Sequence, residues 1–167
     1  MAQSGAPFGF KVTQRILALV ATYDIVDIAT DQKVFIAKRR FFTLTPTIVI
    51  ENLQGQEVAK IKSNFLFRNR WKITQGPNEV GEVEFPIIRF CGIKFDVMLA
   101  GNHYTASDIL GWSFNAVGRD GSIGFTLDKK VFRIKDTYRV DVYPPLEPLF
   151  GLAAALAIDS KFYQGNR

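Results

Sequence analysis

The stretch Leu149-Phe150-Gly151-Leu152-Ala153-Ala154-Ala155-Leu156-Ala157-Ile158 has no polar face. Pro148 stands before it, where a proline suits the first turn of a helix. Ala and Leu favour helix, so the stretch predicts a helix of about three to four turns. A helix that is apolar all round must be enclosed, by protein or by lipid. Crossing lipid takes roughly 20 such residues, and this run is about half that. The simplest arrangement is one apolar helix wrapped by a β-barrel.

The upstream sequence supplies the strands. Residues 1–10 are small and contain Gly and Pro, which predicts a loose arm, with a single domain over 11–167. Arg15 to Ala21 reads as a strand or a short helix. From Tyr23 the pattern is β, with Tyr23, Ile25 and Ile28 expected inward. Strands are expected at Val34–Ala37, Thr47–Glu51, around Val58 and Ile61, and near Trp71 and Ile73. Gln75-Gly76-Pro77-Asn78 is a strong break, too short for a flexible linker. Beyond it come Glu79–Phe85, with Val80 and Val83 expected inward, Ile93–Leu99, Leu110–Val117, and Ile123 to Leu127. Two last strands are expected between Val131 and Val142. Asp120-Gly121 signals a hairpin turn. Short strands with turns every 8–12 residues argue for an all-β sheet. The order of residue types from Gly55 to Ile73 recurs from Gly121 to Val140, matching Phe65 with Phe132, Asn69 with Asp136 and Trp71 with Tyr138. Two similar half-barrels sharing one helix explain that recurrence within one domain.

Composition narrows the chemistry. At 167 residues, 47% hydrophobic, with 15 Phe, the chain can bury a full core. Its 21 Lys+Arg against 16 Asp+Glu give a net charge of +5, compatible with anionic partners without identifying one. The lone Cys91 allows no internal disulfide and no cysteine metal cluster, which fits a reducing compartment. It reads as a small core filler. His103, the single histidine, has no triad or metal motif around it and reads as a turn residue beside Asn102. Gly118-Arg119-Asp120-Gly121 lacks the Lys-Ser/Thr of a phosphate loop. Asp159 is expected to end the helix and bond a backbone donor at the barrel mouth. No catalytic residue, metal site or cofactor is expected.

The basic residues carry the one binding expectation. Lys38-Arg39-Arg40 closes a strand; Lys60 and Lys62 share a face of another; Arg68, Arg70 and Lys72 follow. If these strands pair, the eight cations gather on one wall suited to a phosphorylated head group or an anionic leaflet. Nucleic acid is not the expected partner, because the aromatics are needed for the core.

The segments Tyr23-Asp24-Ile25-Val26-Asp27, Val34-Phe35-Ile36-Ala37-Lys38-Arg39-Arg40, Phe132-Arg133-Ile134-Lys135-Asp136-Thr137-Tyr138-Arg139-Val140 and Ala155-Leu156-Ala157-Ile158-Asp159 resemble the LURP-one-related proteins. That family is grouped with the tubby C-terminal domain and the phospholipid scramblases. The resemblance runs from about Arg15 to Gln164. It implies a closed twelve-stranded antiparallel barrel around a hydrophobic C-terminal helix. Tubby domains bind phosphoinositides through basic barrel-wall residues, and scramblases are associated with calcium-dependent lipid movement. This chain lacks the scramblase cysteine clusters and Pro-rich arm. Asp141 and Glu147 supply too few oxygens for Ca²⁺, which takes 6–8. The expectation is a non-enzymatic binding or scaffold domain, cytoplasmic, recruited to anionic phospholipid at a membrane surface. The alternatives are a scramblase-like lipid protein, with its helix exposed to lipid, and a soluble small-ligand barrel, with an open cavity.

Overall fold

The computed structural model describes residues 5–17, 19–40, 44–87, 94–109, 113–132 and 136–162. Alternating apolar residues build twelve strands. The first half holds β1 (Phe8–Leu17), β2 (Val20–Asp27), β3 (Gln32–Arg40), β4 (Thr47–Glu51), β5 (Glu57–Ser63) and β6 (Arg70–Gln75). The second holds β7 (Asn78–Glu84), β8 (Lys94–Leu99), β9 (Asn102–Ile109), β10 (Ser113–Gly118), β11 (Ile123–Asp128) and β12 (Thr137–Val142). Each strand pairs antiparallel with its sequence neighbours, and β1 pairs with β12 to close the barrel. Closure removes both sheet edges. The barrel surrounds α1 (Pro148–Phe162).

Period-two alternation sends Ile48 and Ile50, Ala59 and Ile61, Trp71 and Ile73, and Val97 and Leu99 into one core. Every α1 residue from Gly151 to Ser160 is buried against them. Close approach explains a glycine within this helix. A Cβ on Gly151 would stand 2.6 Å from Val142 Cγ2, so the close approach of α1 to Val142 on β12 requires a residue without a side chain at 151. The β5–β6 and β11–β12 hairpins lie six strands apart in the closed order, on opposite walls, and Trp71 and Tyr138 both point inward.

Several local expectations change. Of the stretch read as strand or short helix, Arg15–Leu17 ends β1 and Val20–Ala21 begins β2. β1 begins at Phe8, and Phe10 is fully buried, so residues 8–10 are part of the barrel. On β2 the inward row ends with Asp27, whose Oδ1 accepts the Ala29 N–H at 2.9 Å; Ile28 belongs to the turn. Val80 is the extra residue of a bulge, since Ile73 pairs with Gly81 and Thr74 with Glu79. Gly81 and Val83 therefore form the fully buried inward row, and Val80 packs half-buried against the core. Between Val131 and Val142 the described residues hold one strand, β12. β9 has no strong apolar alternation, because only Tyr104 and small Ala106 mark its inward side among the described side chains.

Candidate functional site

One end of the barrel gathers the polar chemistry. There the C-terminal turns of α1 meet the tips of β3, β6, β11 and β12. Asp159 is fully buried within α1, which continues to Phe162. Its carboxylate lies 2.5 Å from Lys129 Nζ. The expected helix-ending residue is thus an interior ion-pair partner. Burying two charges is costly, and their mutual attraction offsets that cost only with close geometry. Lys129 Nζ also lies 5.4 Å from the Tyr138 ring centroid. Burial first, then the charges of Asp159 and Tyr23, push the Tyr138 phenol well above its ordinary pKa. Phe162 ends the helix against the β7–β10 side of the barrel, stacked on Phe114 at 5.4 Å and edge-on to Phe85 at 5.2 Å. Nothing in strand periodicity announces the Lys129–Asp159 pair, because it joins the turn after β11 to the far end of α1.

Arg39 belongs to this interior. Ala37 is buried on β3, so alternation turns Arg39 inward and leaves Lys38 and Arg40 outside. Its guanidinium sits over Trp71, 6.0 Å from the ring centroid. Burial lowers its pKa, opposed by Tyr23, which hydrogen-bonds it, and by Asp159. Arg39 and Trp71 on one wall thus mirror Lys129 and Tyr138 on the other, with Asp159 supplying the negative charge. Arg39 is therefore not part of the outer wall.

The remaining expected cations do share the outside of β3–β6. Lys60 lies between Val49 and Thr74, while Lys62 lies between Thr47 and Lys72. Acids neutralise much of this wall. Lys38 pairs with Glu51 at 3.0 Å, Lys60 with Glu57 at 3.4 Å, Lys72 with Glu79 at 3.5 Å, and Arg70 with Glu84 at 3.3 Å. Among the described residues, Arg40, Lys62 and Arg68 form no ion pair, and all three lie toward the α1 C-terminal end.

Arg68 is held by its backbone. Phe67 and Arg68 both have positive φ, 59° and 48°, a conformation that costs L residues energy. The 64–69 loop is fixed by Asn64 Nδ2 donating to Asn69 Oδ1 at 3.0 Å and by the Arg70 N–H donating to Asn64 Oδ1 at 3.0 Å. The Arg68 carbonyl accepts from Trp71 Nε1 and from Lys161 Nζ, each at 3.1 Å. The loop is thereby tied to both the barrel and the helix.

His103 is a β9 strand residue, opposite Met98 and not in a turn; its Nε2 lies 2.8 Å from Asp96 Oδ1. It borders a surface cleft of about 410 Å³ with Tyr104, Arg119 and Asp120. Cys91 lies outside the described residues. Among the described residues, no three His, Cys, Asp or Glu side chains gather to hold a metal. None of the described helices is long and apolar enough to cross a membrane.

The fold recurs in a crystal structure of an Arabidopsis thaliana protein. The two chains are 19% identical, with a TM-score of 0.64 over 97% of this chain and 94% of that one. At that identity the likeness concerns the fold. No curated protein matches the sequence. The family described as LURP-one-related matches residues 9–159, nearly the whole barrel together with α1 through Asp159. With that match added to the closed sheet and its enclosed helix, the chain belongs to the LURP-one-related family.

Proposed function

We propose that this chain is a non-enzymatic binding domain that docks on anionic phospholipid, phosphoinositide included, through cations on the outside of β3–β6. The observation that carries this reading is the placement of Arg40, Lys62 and Arg68, which have no acidic partner among the described residues and lie at one end of a shared wall. Such cations attract an anionic leaflet with about 1 kcal/mol each near its surface. The paired lysines contribute less, because their acids already answer them. The small-ligand alternative loses its cavity, since α1 fills the lumen. The lipid-exposed helix expected of a scramblase-like protein is instead enclosed.

Co-sedimentation with phosphatidylcholine vesicles, with and without phosphatidylinositol bisphosphate, tests the reading. Binding is expected only to the anionic vesicles and weakens as salt rises. The Lys62→Glu/Arg68→Glu double variant lowers binding by about tenfold or more. A wild-type protein that ignores anionic vesicles at low salt refutes the proposal.

A further inference from the structure

The exposed apolar side chains are collected at one end of the barrel. Nine of the twelve large hydrophobics exposed among the described residues lie at the end where α1 terminates; the other three are Phe8, Leu53 and Met98. They sit on five separate connections. Leu17 and Leu19 flank the β1–β2 turn, Leu44 lies between β3 and β4, Ile87 follows β7, and Val131 follows β11. The β5–β6 loop contributes most, with Phe65, Leu66 and Phe67 exposed by 60%, 65% and 69%. At the opposite end, Leu53 is the one such residue on a described connection.

This loop is built to hold its apolar residues outward. The Asn64–Asn69 bond and the two donors on the Arg68 carbonyl fix the backbone, with Phe67 and Arg68 in the left-handed region. Strain of that kind persists only where the surroundings impose it, and it concentrates where a segment has a task. A fixed loop also loses little conformational freedom on docking.

We propose that this end of the barrel is a membrane-insertion face, in which the β5–β6 loop and its apolar neighbours enter the interface of an anionic bilayer. The inference rests on the anionic-lipid reading above and adds the orientation and the apolar half of the contact. Charge complementarity selects the occupant. Arg40, Lys62 and Arg68, without ion-pair partners among the described residues, border the Phe65–Phe67 loop and Leu44, as a ring of cations behind an apolar tip requires at a lipid interface. Across the ring, on β9 and around the β11–β12 connection, Asp108, Asp128 and Asp136 stand with Lys129 and Lys130, so that side is mixed in charge and the β3–β6 sector makes the contact.

The test uses the full chain and vesicles of phosphatidylcholine, alone or mixed with phosphatidylserine. Phe65→Ser/Phe67→Ser lowers partitioning onto anionic vesicles by about tenfold, while Leu53→Ser at the far end leaves it unchanged. Thermal melts of both variants stay near wild type, because the side chains removed are exposed. In a Leu66→Trp variant, anionic vesicles shift the added indole emission to the blue, and brominated lipid quenches it. If wild type binds in a salt-sensitive manner but F65S/F67S binds equally well, or the indole stays in water, the insertion face is overturned while the electrostatic reading stands. The former result is also the outcome for a crown that serves a protein partner. If wild type binds no anionic vesicle, both fall.

Discussion

Tyr138 and Asp159 show what single residues do inside this barrel. An aromatic row and a helix would fill the lumen without them, yet the structure buries a carboxylate, pairs it with Lys129 and sets a phenol nearby. Breaking such a buried pair by removing one partner typically costs about 3–5 kcal/mol. The phenol adds a pH dependence whose sign is fixed. Its folded pKa lies above its unfolded value of about 10, so the fold holds the protonated form more tightly. The resulting stability is complete below about pH 10 and is lost as pH rises through the folded pKa. Thermal melts across alkaline pH are expected to fall less steeply for Tyr138→Phe than for wild type. Some slope remains, because burial and the charge of Asp120 raise Tyr104 as well. Equal slopes would mean that Tyr138 is open to water.

The element that organises the chain is α1, and its apolar circumference was legible in sequence because enclosure is a requirement on the helix itself. The strands were legible where alternation is strong, as at Thr47–Glu51, whose inward Ile48 and Ile50 flank Val49. They were not where the inward residues are small or polar, as on β9, or where a bulge shifts the phase, as at Val80. Since α1 is core and not an anchor, Leu152→Ala is expected to leave a cavity and cost about 2–5 kcal/mol. Chemical denaturation reads that loss as a lower midpoint with an unchanged slope. A variant as stable as wild type would place Leu152 outside the packed interior.

At the scale of the molecule, closure is the decisive event. It rests on β1 pairing with β12, from Phe8 opposite Val142 to Thr13 opposite Thr137. The first ten residues, expected as a loose arm, include three of that strand and the buried Phe10. Deleting residues 1–10 therefore removes part of the closing seam and uncovers the edge of β12. Losing Phe10 alone is worth about 3–5 kcal/mol, so the truncated chain is expected to melt far lower or aggregate, by calorimetry and light scattering. An unchanged melt would show that the seam closes without its first residues.

The enclosing architecture follows from the order of residues alone, because an apolar helix too short for a bilayer and many half-apolar strands satisfy each other in few ways. That order also names the cations, since residue type is local information. Which of them face out, and which stand beside an acid, depends on how the strands pair and where the turns bring them. Arg39 turns inward over Trp71 because Ala37 sets the phase of β3. Lys38, Lys60, Arg70 and Lys72 meet acids brought close by turns and strand register. The apolar crown was hidden for the same reason. The run Phe65-Leu66-Phe67 carries no direction in sequence, and only the Asn-fixed loop and the common direction of five connections place it at one end, in water.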